Sequence, residues 1–176
     1  MKKKSKSIPG GLFRGLRAFF QEIRKPESFV KGEVFENYVR NKLFPISEYK
    51  LIHKTTDYNN NKGDYVETTL YPDFRLKDKE NGKLFFVEVK WRNGESKAGK
   101  ISWCDQKQLR RYKAIDKKEN KVFIILGVGG RASKPERIAL FPVSSCAYTA
   151  LYDTFINKYS ISVNKPVTAK YLWRLK

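Results

Sequence analysis

Histidine, cysteine, acid and long apolar runs are what this chain has little of, and each shortage closes off a class of chemistry. There is one histidine, His53, which argues against triads, zinc clusters and histidine-rich metal centres. The two cysteines, Cys104 and Cys146, show neither metal-ligand spacing nor the pattern of a disulfide framework, as expected of small core residues in a reducing interior. No apolar run approaches the ~18 residues of a membrane span, and the first residues lack the uninterrupted apolar stretch and small-residue cleavage site of a signal peptide. The sequence therefore reads as soluble and cytoplasmic. Gly127-Val-Gly-Gly130 is not followed by Gly-Lys-Ser/Thr, and Pro135 stands where a dinucleotide-binding helix should begin, so it reads as a turn.

Basic charge is abundant. Against 18 Asp and Glu stand 37 Lys and Arg, a net charge of +19 in 176 residues. Such an excess points to a polyanionic partner, nucleic acid before an anionic membrane. The length suits one domain with a proper core. Residues 1–26 stand apart: lysines 2, 3, 4 and 6 precede Leu12, Phe13, Leu16, Phe19, Phe20 and Ile23 at helical spacing among cations. This pattern fits a nucleic-acid arm, a membrane-surface helix, a transit peptide or a terminal helix laid on the domain, and charge does not separate them. Residues 27–176 form the expected single domain.

Within it, periodicity predicts a helix from about Glu27 or Ser28 to Leu43, closed by Phe44-Pro45, with Val34, Phe35, Tyr38, Val39 and Leu43 as its apolar stripe. Glu36 falls on the stripe's border, and Glu33 is expected in solvent. Strands are expected over 49–54, over 65–71 with a bend at Pro72, over 121–126 and over 137–142. A helix is expected over 103–118, with Leu109, Tyr112 and Ile115 inward and Lys107, Arg110, Arg111, Lys113, Lys117 and Lys118 outward. Helix followed by buried strand suggests a parallel crossover. A last helix is expected over 144–159 with Tyr148, Leu151, Tyr152 and Phe155 inward. Alternation over 167–176 suggests an edge strand.

The most informative stretch is Tyr71 to Trp91. Leu84 to Trp91 is apolar, β-branched and aromatic as a central strand should be, yet it carries Glu88 and Lys90. An ionised group buried without a partner costs several kcal/mol, so these charges need a reason. Asn81-Gly82 is a strong hairpin signal. If it forms the whole loop, Asp73 pairs with Lys90, Arg75 pairs with Glu88, and Asp73, Glu88 and Lys90 share one face. A cross-strand salt bridge on an open face would account for the same residues.

Pro72-Asp73 followed by Glu88-Val89-Lys90 resembles the signature of the PD-(D/E)XK nuclease superfamily. Lys31-Gly32 with Glu36 is similar to the first-helix glutamate these nucleases often carry, and Gln108-Leu-Arg-Arg-Tyr112 to the Gln-x-x-x-Tyr motif of the RecB-like and Holliday-junction-resolvase-like branches. The resemblance implies an α/β restriction-endonuclease-like core in the order α-β-β-β-α-β, a mixed sheet flanked by helices. It also implies hydrolysis of DNA phosphodiester bonds, RNA not being excluded. By the same resemblance Asp73, Glu88 and the Val89 carbonyl would hold Mg²⁺ (Mn²⁺ as a substitute), Glu36 would complete the metal shell or hold a second ion, Lys90 would position or deprotonate water, and Gln108 and Tyr112 would orient the site. Arg92, Lys97, Lys100, Lys107, Arg110 and Arg111 are the cations expected on nucleic acid. A homodimer is left open, and a non-catalytic nucleic-acid-binding module on the same fold is the alternative function.

Overall fold

The computed structural model describes residues 27–55, 70–94 and 99–175. The N-terminal arm, the expected strand up to residue 69, and Lys97 lie outside the described residues. In chain order the elements are α1 (Glu27–Tyr38) continued by a π-helical turn (Val39–Leu43), β1 (Tyr49–Lys54), β2 (Phe74–Asp78), β3 (Leu84–Arg92) and β4 (Lys100–Ser102). Then follow α2 (Gln106–Lys118), β5 (Val122–Val128), β6 (Arg137–Pro142), a 3₁₀ turn (Val143–Ser145), β7 (Ala150–Tyr152), α3 (Asp153–Lys158), β8 (Ser160–Ile161) and α4 (Ala169–Leu172).

The central sheet has six strands in the order β1-β2-β3-β5-β6-β8, and β4 with β7 make a separate two-stranded sheet. β3 and β5 run parallel, joined through α2 as the helix-to-strand order predicted, while the other neighbours in the large sheet are antiparallel. Every residue of β5 is buried. A parallel pair of this kind must be covered on both faces, which explains its continuous apolar sequence. On one face Phe35, Val39 and Leu43 pack with Phe85, Val87, Phe123 and Ile125. On the other, Leu109, Tyr112 and Ile115 pack with Phe86, Ile124 and Leu126, where Cys104 and Cys146 are buried as free thiols. Among the described residues no helix is long and apolar enough to cross a membrane.

Several expectations shift for local reasons. α2 starts at Gln106, because Asp105 caps it: its carboxylate accepts from the Gln108 N–H at 2.7 Å, and the Gln108 side chain returns to the Asp105 N–H, a reciprocal capping box. Trp103 and Cys104 are buried ahead of that cap. The hairpin loop spans residues 79–82 rather than Asn81-Gly82 alone. Only Gly82 has positive φ, whereas a type I′ turn needs it at both central residues. Asn81 instead accepts from the Lys83 N–H, and the buried Asp78 accepts from the Glu80 N–H and from the Trp173 indole at 2.8 Å.

The stretch 144–159 is not one helix; only its end, Asp153–Lys158, is helical. It breaks into the 3₁₀ turn, β7 and α3, leaving Tyr148 and Tyr152 exposed and Leu151 buried. The end of the chain forms α4 instead of an edge strand, with the Trp173 ring edge-on to Phe85 and Phe123. Tyr71 lies in a bend and not in a strand, and Val34 is exposed.

Gly127 is part of β5 and not of the following turn, and the reason is α1. A Cβ on Gly127 would lie 2.5 Å from the Phe35 Cζ and 2.8 Å from Cε2. The ring is fully buried and has nowhere to retreat. Gly127→Ala should therefore destabilise the fold by about 1–3 kcal/mol through overpacking. Thermal unfolding should show a midpoint lowered by roughly 2–4 °C for each kcal/mol. Adding Phe35→Leu should recover part of that loss, so the double mutant should be more stable than the sum of the single effects.

Candidate active site

The site forms where β2 and β3 part. Their pairing runs from Lys77 opposite Leu84 to Phe74 opposite Val87, and β3 continues beyond it to Arg92. This register differs by two residues from the one a two-residue loop implies. Because strand side chains alternate with period two, a shift of two keeps every residue on its face. Arg75 therefore pairs with Phe86 instead of Glu88. Continued one position, the register sets Asp73 level with Glu88 and diagonal to Lys90. Asp73, Glu88 and Lys90 still share one face, as the sequence predicted.

Asp73 is fixed by its own carboxylate, which accepts from the Val89 N–H at 2.7 Å. Glu88, 1% exposed, pairs with the Lys90 ammonium at 2.5 Å. Burial and the charge of Glu88 push the Asp73 carboxyl well above its ordinary range; Glu36 adds to this, while Lys90 and the Val89 N–H oppose it. Burial pulls the Lys90 ammonium down, but Glu88 and Asp73 outweigh that and hold it above its usual value. The Tyr112 phenol is raised by burial and then by Glu88, with which it shares a hydrogen bond. Tyr112 thus reaches the site from α2 and holds Glu88 in place.

Glu36 comes from α1. It lines an open cleft of about 600 Å³ together with Asp73, Val89, Lys90, Trp91 and Gly32, and its carboxylate pairs with Lys54 at 3.0 Å. Glu33 lines the same cleft and is half-buried, contrary to the solvent position expected for it. His53, on β1, is exposed. A smaller hollow, of about 320 Å³, lies between Ser160 and Tyr171 beside β8, the strand at the far edge of the sheet.

The remaining expected residues divide. Gln108 is engaged at the start of its own helix, and its side chain is not brought onto the carboxylates by any contact among the described residues. Arg92, expected on nucleic acid, is committed to the fold: its guanidinium donates to the carbonyls of Ser102 at 2.7 Å, Trp103 at 2.8 Å and Trp91 at 2.9 Å. Lys107 and Arg110 are exposed on α2, Arg111 is half-buried over the Tyr112 ring, and Lys100 sits over Tyr152. Sequence reasoning missed the Arg92 clamp, the Lys54 partner of Glu36 and the place of Trp91 in the cleft wall. Only the capping box, Asp105 three residues before Gln108, had a local sequence signal.

Among the described residues, no group of three Asp, Glu, His or Cys side chains is gathered to hold a metal ion. The pair at hand, Asp73 and Glu88, nonetheless suits one hard cation, since Mg²⁺ commonly takes one or two carboxylates and completes its shell with water or phosphate oxygens. A carboxyl whose proton affinity is raised by burial and by a neighbouring carboxylate, as that of Asp73 is, is what a divalent cation relieves.

Without metal this arrangement works against stability. A carboxyl whose folded-state pKa lies above its unfolded value destabilises the fold increasingly as pH rises from the unfolded pKa through the folded one. Asp73→Asn keeps an acceptor for the Val89 N–H and removes the charge. In EDTA at pH 7.5 it should raise the melting midpoint by roughly 2–4 °C, about 1 kcal/mol after allowing for the part of Asp73 that faces solvent. The gain should vanish near pH 4; melting curves across that range check it.

Neither a protein-family model nor a curated protein matches the chain. Among solved structures, the 1.6 Å structure of Hjc, a Holliday junction resolvase from the archaeal hyperthermophile Archaeoglobus fulgidus, matches with a TM-score of 0.50 at 12% identity, covering 75% of this chain and 91% of that one. At that identity the likeness concerns the fold. The chain therefore has the restriction-endonuclease-like α/β fold that its PD-(D/E)XK resemblance implied, a fold it shares with an archaeal Holliday junction resolvase.

Proposed function

We propose that the protein is a metal-dependent phosphodiester hydrolase acting on DNA. The observation that carries this reading is the pairing of half-buried Asp73 with buried Glu88 beside Lys90, with Asp73 and Lys90 opening on a cleft in a chain of net charge +19. A purely structural salt bridge would need one carboxylate for Lys90. The second raises the electrostatic cost and is retained beside an open cleft.

Asp73 and Glu88, with the Val89 carbonyl, would hold Mg²⁺ or Mn²⁺, and Glu36 would join them on release from Lys54. The ion, when bound, supplies polarisation of the scissile phosphate and a lowered pKa for water. The protein's own residues do the rest. Lys90, kept cationic by its acidic neighbours, balances phosphate charge and orients the attacking water; it acts as a base only if its pairing with Glu88 is broken. Tyr112 keeps the Glu88 carboxylate aimed at the site. Water would attack phosphorus directly, losing a proton to solvent as the new P–O bond forms, the bond to the leaving nucleoside oxygen would break and that oxygen would take a proton from solvent, with no covalent enzyme intermediate. Lys107 and Arg110, exposed on α2, would neutralise flanking phosphates.

The test is incubation of the full chain with plasmid, single-stranded, forked and four-way DNA in Mg²⁺, Mn²⁺ or EDTA. Cleavage should require the metal and fall by about 10²-fold or more in Lys90→Ala, and to a similar extent in Asp73→Ala, with DNA binding retained. Tight binding with no cutting of any substrate would replace this reading with a non-catalytic nucleic-acid-binding module.

A further inference from the structure

The small sheet β4–β7 has no role in the proposed chemistry, yet its exposed side is unusual. Ile101 and Leu151 face the core, which turns Lys100 and Tyr152, paired across the strands, outward. Tyr152 is 55% exposed with the Lys100 ammonium 4.6 Å from its ring centre, and Tyr148, just before β7, is 73% exposed. Among the described residues the other large aromatics are mostly buried, Phe29 and Tyr171 being the further exposed ones. The platform is also rigidly tied to the site. Arg92 lies two residues beyond Lys90 on the same face of β3, and its guanidinium grips the carbonyls of Ser102 and Trp103 at the end of β4. The Trp103 ladder and indole N–H in turn hold the carbonyls of Thr149 and Tyr148.

We propose that Tyr148, Tyr152 and Lys100 form a stacking platform for unpaired DNA bases, which makes the substrate a DNA with a single-stranded portion beside the scissile phosphate. Every base has a π-face that an exposed tyrosine can stack on, and the adjacent lysine pairs with the backbone of the same strand. A continuous duplex keeps its bases stacked on one another and gains only the lysine contact. The inference rests on the nuclease reading for the substrate's fate but not for its binding.

Fluorescence anisotropy of the full chain in EDTA, with labelled single-stranded, forked and fully paired DNA of equal length, separates the two. Tyr148→Ala/Tyr152→Ala should weaken single-stranded and forked DNA roughly tenfold and change duplex binding less than about twofold, whereas Tyr148→Phe/Tyr152→Phe should bind as the parent does, since stacking needs the ring and not the hydroxyl. Melting curves of each variant confirm folding. Equal losses on all three DNAs, no loss on any, or a loss in the Phe variant would overturn the platform. Cleavage dependent on Asp73 alongside any of these results would leave the nuclease reading standing. A platform confirmed in EDTA together with no cutting in metal would sink the nuclease reading alone.

Discussion

The structure depends on the parallel pairing of β3 with β5, from Phe86 opposite Val122 to Arg92 opposite Val128. A parallel pair requires a crossover and cover on both faces, and α2 and α1 answer those two demands. Because the pair is buried, any charge on β3 must be partnered. Glu88 meets this with Lys90 and Tyr112, and Asp73 leans on the Val89 N–H. The candidate site is thus a consequence of where a necessarily apolar strand tolerates charge.

The same strand connects the site with its surroundings at both ends. Toward its start, Phe85 packs against Phe123 and Trp173, and the Trp173 indole secures Asp78 at the base of the hairpin. At its far end, Arg92 ties β3 to β4 through carbonyls. An arginine with its fork filled by backbone acceptors is a positioning element; among the described cations expected on nucleic acid, those of α2 and Lys100 are not held in this way. Charge count alone does not distinguish the two uses, since both appear as basic residues next to a motif.

The constellation Asp73, Glu88 and Lys90 was legible because it rests on the two-residue alternation of strands, which survives an error of two in register. The loop was misjudged because Asn-Gly favours a tight turn only when nothing else competes. Here Asp78 and Asn81 offer their side chains to backbone N–H groups and open the loop to residues 79–82. The helix expected over 144–159 failed for a related reason. Its apolar spacing suits either period over so short a range, and β4 supplied a partner that drew residues 150–152 into a sheet.

The sequence by itself determined the alternation that puts both carboxylates and a lysine on one face, the helical stripes that cover the central strands, and the charge that favours a polyanion. These are properties of local period and composition. Tertiary structure alone decided that Asp73 is level with Glu88, that Glu36 is held by Lys54, that Arg92 is a clamp and that Tyr148 and Tyr152 face solvent. Each of those depends on which distant segment arrives beside a residue, and no local pattern encodes that.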